Sequence, residues 1–203
     1  MVSILKFQNL FLLIGVVSVV EIKKVAKSVF TFCVLTFILS SCSFPGIRLY
    51  ESSFQGESLN VGEGKNVHFF TKNPNFGTGI NLQFGARYTM DISILSYWID
   101  QIYDQNENGE PIDEMGFANS VMRYEWLTST KRSPDHNWFE LMLYQSRCSR
   151  NSLRGVSDLE VDDSGSYNFV AACDGELTLF VNDSRGFYGN NVGYANISLS
   201  RVN

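Results

Sequence analysis

The densest group of oxygen donors in this 203-residue chain lies near its C-terminus, in Asp183-Ser184-Arg-Gly-Phe187-Tyr188-Gly189-Asn190-Asn191. An apolar run, residues 176–181, leads into Asp183, and a glycine-punctuated loop then delivers two adjacent asparagines before a second alternating run. One carboxylate, two amide oxygens and a loop carbonyl are hard donors, the kind that Ca²⁺ gathers in sets of about six to eight. No thiolate or imidazole stands nearby, which argues against zinc or copper. The same residues could also form an Asn/Gly turn whose side chains cap their own backbone.

Other groups carry weaker chemistry. Asp104-Gln-Asn106-Glu-Asn108-Gly109 has the alternating donors and the sixth-position glycine of an EF-hand loop. Its twelfth position is Met115 where a glutamate is needed, so a solvated loop is the better reading. Trp98, Trp126 and Trp138 could each stack on a sugar ring, although core packing competes for all of them, Trp98 most of all. Trp138, beside His136 and Asn137, is the one expected at the surface. Neither His68 nor His136 sits in a nucleophile motif, and no Gly-x-Ser-x-Gly elbow occurs, so the chain reads as a binding protein and not an enzyme.

The elements that must position these residues are strands. Alternating or short apolar runs occupy residues 66–70, 80–84, 88–95, 139–144, 165–170, 176–181 and 195–200, with Gly, Asn, Asp and Ser between them. Sustained helical periodicity, internal repeats and low-complexity tracts are lacking in the sequence. The fold expected is all-β, a jelly-roll β-sandwich. An immunoglobulin arrangement fails on spacing: two residues after Tyr167, where that fold puts a cysteine, stands Phe169.

At Asp183 and Tyr188-Gly189-Asn190-Asn191 the chain resembles the bacterial calcium-dependent galactose-binding lectins of the PA-I type, which are small jelly-roll sandwiches. The resemblance implies that Asp183, Asn190 and Asn191 ligate Ca²⁺ through their side chains, and Phe187 and Gln101 through their carbonyls. It further implies that Asp183, Ser184 and Asn190 touch sugar. Thr78-Gly79-Ile80 and the strand ending at Trp98 are similar to the scaffold of the wider family, and Phe54-Gln-Gly-Glu57 to its opening strand. The family's sugar-contacting His-Pro-Asp-Gln has an echo in Ser133-Pro134-Asp135-His136, which makes His136 a further candidate. Because that motif is altered and displaced, the ligand class implied is a carbohydrate, galactose-like in character, with galactose itself not carried over.

The N-terminus has the order of an export signal. Lys23, Lys24 and Lys27 precede an apolar stretch, residues 29–40, whose 12 residues fall short of the ~20 needed to span a bilayer. Leu39-Ser40-Ser41-Cys42 resembles the lipobox of bacterial lipoproteins, in which the cysteine is lipidated and becomes the new N-terminus. The domain plan is therefore a signal segment at 1–41, a lipid-anchored tether at 42–53 and a sandwich domain at 54–203, in the bacterial cell envelope and, with Ser43 after Cys42, at the outer membrane. Removing residues 1–41 leaves 12 basic and 20 acidic side chains, a net charge of −8 that makes nucleic acid an unsuitable partner. Of four cysteines, Cys33 leaves with the signal and Cys42 takes lipid, so Cys148 and Cys173 remain to form a disulfide in an oxidising compartment. The alternative function is a structural or protein-interaction lipoprotein that keeps the scaffold without binding sugar. Residues 11–20 form a second apolar run upstream of the basic stretch, which suggests that translation starts near Val19 or Val20, the alternative being a transmembrane hairpin. Mass spectrometry of the precursor should then detect no peptide spanning Phe7 to Leu12, and finding one would refute the later start.

Overall fold

The computed structural model describes residues 56–203. The signal segment, Cys42, the tether and the first two residues of the expected opening strand lie outside the described residues. Twelve strands run in the order β1 (Glu57–Ser58), β2 (Gly64–Phe70), β3 (Phe76–Leu82), β4 (Arg87–Ile94), β5 (Ile99–Asp100), β6 (Leu141–Gln145), β7 (Arg154–Gly155), β8 (Glu160–Val161), β9 (Tyr167–Val170), β10 (Gly175–Val181), β11 (Asn191–Val192) and β12 (Tyr194–Arg201). They form one sheet of order β1-β3-β10-β6-β7, a second of order β2-β12-β4-β9-β8, and a ribbon of β5 with β11. Successive long strands alternate between the sheets, as in a jelly-roll sandwich. All pairings are antiparallel except β1 with β3.

Each expected apolar run coincides with a long strand, and period-two alternation explains which face each one buries. In β2, Val67 and Phe69 point inward between exposed neighbours; in β12, Ala195, Ile197 and Leu199 do the same. Removing each large side chain from water contributes about 1.5–3 kcal/mol. Strands β6 and β10 differ, being buried along their whole length. Their second face is covered by the segment before β6: the Arg132 guanidinium lies 3.6 Å from the Phe180 ring centroid. Arg132 also donates to the Pro74 carbonyl and to Asn75 Oδ1 at 3.0 Å. A cation can be sequestered there because its donors find acceptors and its plane stacks on an aromatic ring.

Trp98 is a core residue, with its ring centroid 6.1 Å from that of Phe69 and 6.2 Å from that of Phe139. Trp138 is also in the core at 1% exposure, whereas Trp126, at 68%, is the tryptophan at the surface. The expectation for Trp138 is corrected by a backbone pairing that its flanking polar residues did not reveal. Phe117 and Trp138 exchange hydrogen bonds of 2.8 and 3.0 Å, folding the 101–137 excursion over the indole. In the EF-hand-like stretch, Asn106 Oδ1 accepts from the backbone of Asn108 and Glu110 at 2.9 and 3.1 Å. That donor closes its own turn, in keeping with a solvated loop.

Cys148 and Cys173 are bonded, across a sequence separation of 25 residues, and tie the end of β6 to the approach of β10. The Gln145 side chain reinforces this corner, accepting from the Ala172 N–H at 2.9 Å and donating to the Cys173 carbonyl. Closing a loop of that length restricts the unfolded chain by about 3 kcal/mol. A double Cys148→Ser, Cys173→Ser variant should lose roughly that much stability in urea unfolding while keeping the same fold; an unchanged midpoint would show that the bridge contributes nothing to the domain.

Candidate functional site

Asp183 follows β10 after one residue, Asn182, and is carried out of the sheet into a short loop that returns through a single 3₁₀ turn, Tyr188–Asn190, to β11. Three contacts fix that turn. The buried Tyr188 hydroxyl donates to the Val181 carbonyl at 2.6 Å and accepts from Arg132 at 3.1 Å. Asn191 pairs with Asp100 in the β5–β11 ribbon. Gly193 lies so close to Trp98 that a Cβ there would sit 2.6 Å from the indole, at a φ of 130°. Only glycine lets β11 rest on that ring. The Gly193 carbonyl accepts from the backbone and side chain of Thr71, whose own carbonyl accepts from Asn191 Nδ2 at 3.4 Å.

The ribbon brings a second carboxylate, Asp100, beside Asp183. Both residues are buried, at 4% and 2% exposure. Loss of hydration raises Asp100 to about 7, and the negative charge of Asp183 pushes the same way. Burial likewise raises Asp183 to about 6, against the opposing pull of its hydrogen bonds from Asn191 and Ser184 and of the Arg132 charge. The Ser184 N–H donates to Asp183 Oδ1 at 2.5 Å and Asn191 Nδ2 donates to Oδ2 at 3.1 Å. Asn190 Nδ2 lies 3.5 Å from Asp100 Oδ1. The amide nitrogens are thus turned to the carboxylates, while Asn190 Oδ1 and Asn191 Oδ1 are buried with no hydrogen-bond partner. An orphaned buried acceptor costs about 1–3 kcal/mol, so two in adjacent residues, beside two carboxylates, mark a place that favours a cation.

The donor chemistry fits Ca²⁺: two carboxylates and two amide oxygens, with the carbonyls of Phe187 and Gln101 on the adjoining turns. Among the described residues no group of three or more His, Cys, Asp and Glu side chains converges on a metal position; the donors gathered beside Asp183 are all oxygens, a set that does not suit softer ions. Gln101 holds a left-handed φ of 56°, in a two-residue turn clamped by reciprocal backbone bonds between Asp100 and Tyr103 at 2.9 and 2.8 Å. That conformation costs a non-glycine residue about 1–2 kcal/mol.

The site opens into a cleft of about 420 Å³ whose floor includes Asp100, Asp183, Ser184 and Asn190 and whose walls come from the 101–127 excursion. Ser184 shares a short hydrogen bond with Thr130, and Arg132 N–H donates to the Asp183 carbonyl at 3.2 Å. The structure therefore brings together Asp183, Ser184, Phe187, Asn190, Asn191 and Gln101. His136 is not in the cleft lining: its Nδ1 lies 2.7 Å from Ser133 Oγ and its Nε2 2.9 Å from Asp158 Oδ2. Gly155 packs against its ring so closely that a Cβ there would meet His136 Cδ2 at 2.5 Å.

Sequence reasoning missed Asp100 and Asn182. The first follows Trp98 by two residues and looks like an ordinary strand-end aspartate; only its pairing with Asn191 reveals it. The fully buried Asn182 side chain binds Ser133 and Asn137, accepting at 2.9 Å and donating twice at 2.8 Å, and so holds the 133–137 segment beside the site. Its position between an apolar strand and Asp183 was the available signal.

No family model matches the chain, and no curated protein matches it. Among solved structures it is similar to one described as the N-terminal domain of EclA, a PllA-like lectin, at 19% identity and a TM-score of 0.42, over 67% of this chain and 94% of that one.

With no cation present, Asp100 and Asp183 retain protons that the unfolded chain gives up near pH 4. Stability must therefore fall as pH rises from about 4 towards 7. In chelator, an Asp100→Asn variant should unfold at a higher temperature than the wild type at pH 7.5, by an amount on the order of 3 kcal/mol, and the gap should close towards pH 4. A gap independent of pH would mean that burial does not raise Asp100.

Proposed function

We propose that the chain is a calcium-dependent carbohydrate-binding lipoprotein of the bacterial cell envelope, anchored by lipid on Cys42, and that Asp183, Asp100, Asn190 and Asn191 with the carbonyls of Phe187 and Gln101 hold the ion. The observation that carries this reading is the pair of buried, partnerless amide oxygens beside two buried carboxylates; of this group, Asp100, Asp183 and Asn190 line an open cleft. The likeness of Asp183 and Tyr188-Gly189-Asn190-Asn191 to the calcium-binding turn of galactose-binding lectins supports it.

When bound, a calcium ion supplies a hard Lewis acid that accepts two neighbouring sugar hydroxyls as ligands. The chain's own groups do the orienting. Asp183 accepts a hydrogen bond from a hydroxyl, Asn190 donates one through its amide nitrogen, and the Ser184 hydroxyl, steadied by Thr130, offers another contact at the rim. Two aspartates neutralise the ion, so a neutral polyol suits the position. Contacts of this shallow, polar kind give modest affinity per site, and many copies on one membrane would raise avidity.

Thermal unfolding of the detergent-solubilised protein in excess CaCl₂ and in chelator tests the reading. Calcium should stabilise the wild type, by about 2.7 kcal/mol at a hundredfold excess over Kd, and should not shift Asp183→Asn. Retention on galactose-terminated and other immobilised glycans should vanish with chelator, and Cys42→Ser should move the protein from the membrane to the soluble fraction. The absence of any calcium shift in the wild type would reduce the loop to a turn.

A further inference from the structure

We infer that the excursion between β5 and β6 builds a second saccharide subsite beside the proposed ion position, so that the ligand is an oligosaccharide and not a single sugar; this rests on the carbohydrate reading above. Trp126 and Tyr124 are 68% and 50% exposed, and both line the cleft that contains Asp183 and Asn190. Leaving two large rings in water is unfavourable, and flat aromatic faces beside a polar floor are what the C–H faces of a pyranose pack against.

The shelf is built, not merely exposed. Trp126 stands on the 3₁₀ turn Glu125–Thr130, which closes with the Leu127 N–H on the Tyr124 carbonyl at 3.0 Å. Thr130 at the end of that turn bonds to Leu127 O at 2.6 Å and shares the short bond with Ser184 Oγ, and Lys131 forms a β-bridge with Ser184. The ring is thereby registered to the loop expected to touch sugar. Arg123 sits 5.4 Å from the Tyr124 ring centroid, and its N–H donates to the Tyr103 hydroxyl at 3.1 Å, which holds Tyr124 at the rim. At about 420 Å³ the cleft falls within the ~300–1,000 Å³ range that houses drug-sized ligands, with room for more than one hexose. An oligosaccharide is favoured over an apolar occupant because the shelf is continuous with a floor of carboxylate, hydroxyl and amide groups.

Calorimetry on the detergent-solubilised full chain in saturating CaCl₂ decides the matter, using methyl glycosides of common hexoses and linear tetrasaccharides ending in the same hexoses. The tetrasaccharide that matches the best glycoside should bind roughly tenfold tighter. Trp126→Ala and Tyr124→Ala should each erode that advantage roughly three- to tenfold, leaving the glycoside affinity and the calcium-induced Tm shift unchanged. Equal affinity of glycoside and tetrasaccharide for the wild type, or an advantage that survives both substitutions, would overturn the subsite and leave the carbohydrate reading standing. Binding of neither ligand would overturn both. Trp126 emission that shifts with detergent concentration and never with tetrasaccharide would assign the shelf to lipid instead.

Discussion

Two carboxyl groups held together out of water are the constraint around which this molecule is arranged. Asp183 leaves a fully buried strand of one sheet, and Asp100 arrives on a ribbon only two residues long, opposite Asn191. Bringing them together is unfavourable on its own, and the surrounding contacts make it possible. Tyr188 ties the return turn back onto β10, Gly193 lets the ribbon rest on Trp98, and Arg132 adds a positive charge close enough to be felt by Asp183. The core supplies stability that the site consumes, as strained and repulsive arrangements at functional sites generally require.

The treatment of other buried polar groups sharpens the contrast. Arg132, Lys131 and Asn182 are all less than 10% exposed, and each has its hydrogen-bonding capacity met by carbonyls and amides of neighbouring segments. Lys131, whose affinity for a proton is lowered by burial, still donates to Asn119 Oδ1 and the His136 carbonyl. Asn190 and Asn191, in contrast, leave open acceptors in adjacent residues beside two carboxylates; Asn196 Oδ1 and Thr128 Oγ1 are also without partners, but each stands alone in the sequence. Trp98 and Trp138 also have indole N–H groups without partners, but these are single donors and not a pair of acceptors.

How far the sequence reveals this depends on whether the determinant is local. Period-two alternation in β2, β4 and β12 and the short apolar run of β10 are local properties, and those strands lie where the pattern puts them. The turn from Asp183 to Asn191 is local as well, and its residues converge. The disulfide could be read by elimination among few cysteines. What could not be read is set by pairing across the fold: the approach of Asp100 to Asn191, and the burial of Trp138 by Phe117, involve residues 91 and 21 positions apart whose own neighbours look unremarkable. The short strands β1, β5, β7, β8 and β11, two residues each, are too brief to carry any periodicity.

The excursion from residue 101 to residue 131 begins and ends against the same loop. Asp100 is paired to Asn191 at its entrance, and Arg132 is bonded to Asp183 at its exit. Because both stems are fastened by the sandwich, and Ile112 and Phe117 between them pack into its core, the residues that face the cleft can change at little entropic penalty and without altering the strand order. The molecule is in this sense modular: a fastened base, which includes the excursion's own core residues, carries a cleft-facing rim whose side chains answer to the ligand and not to the framework beneath.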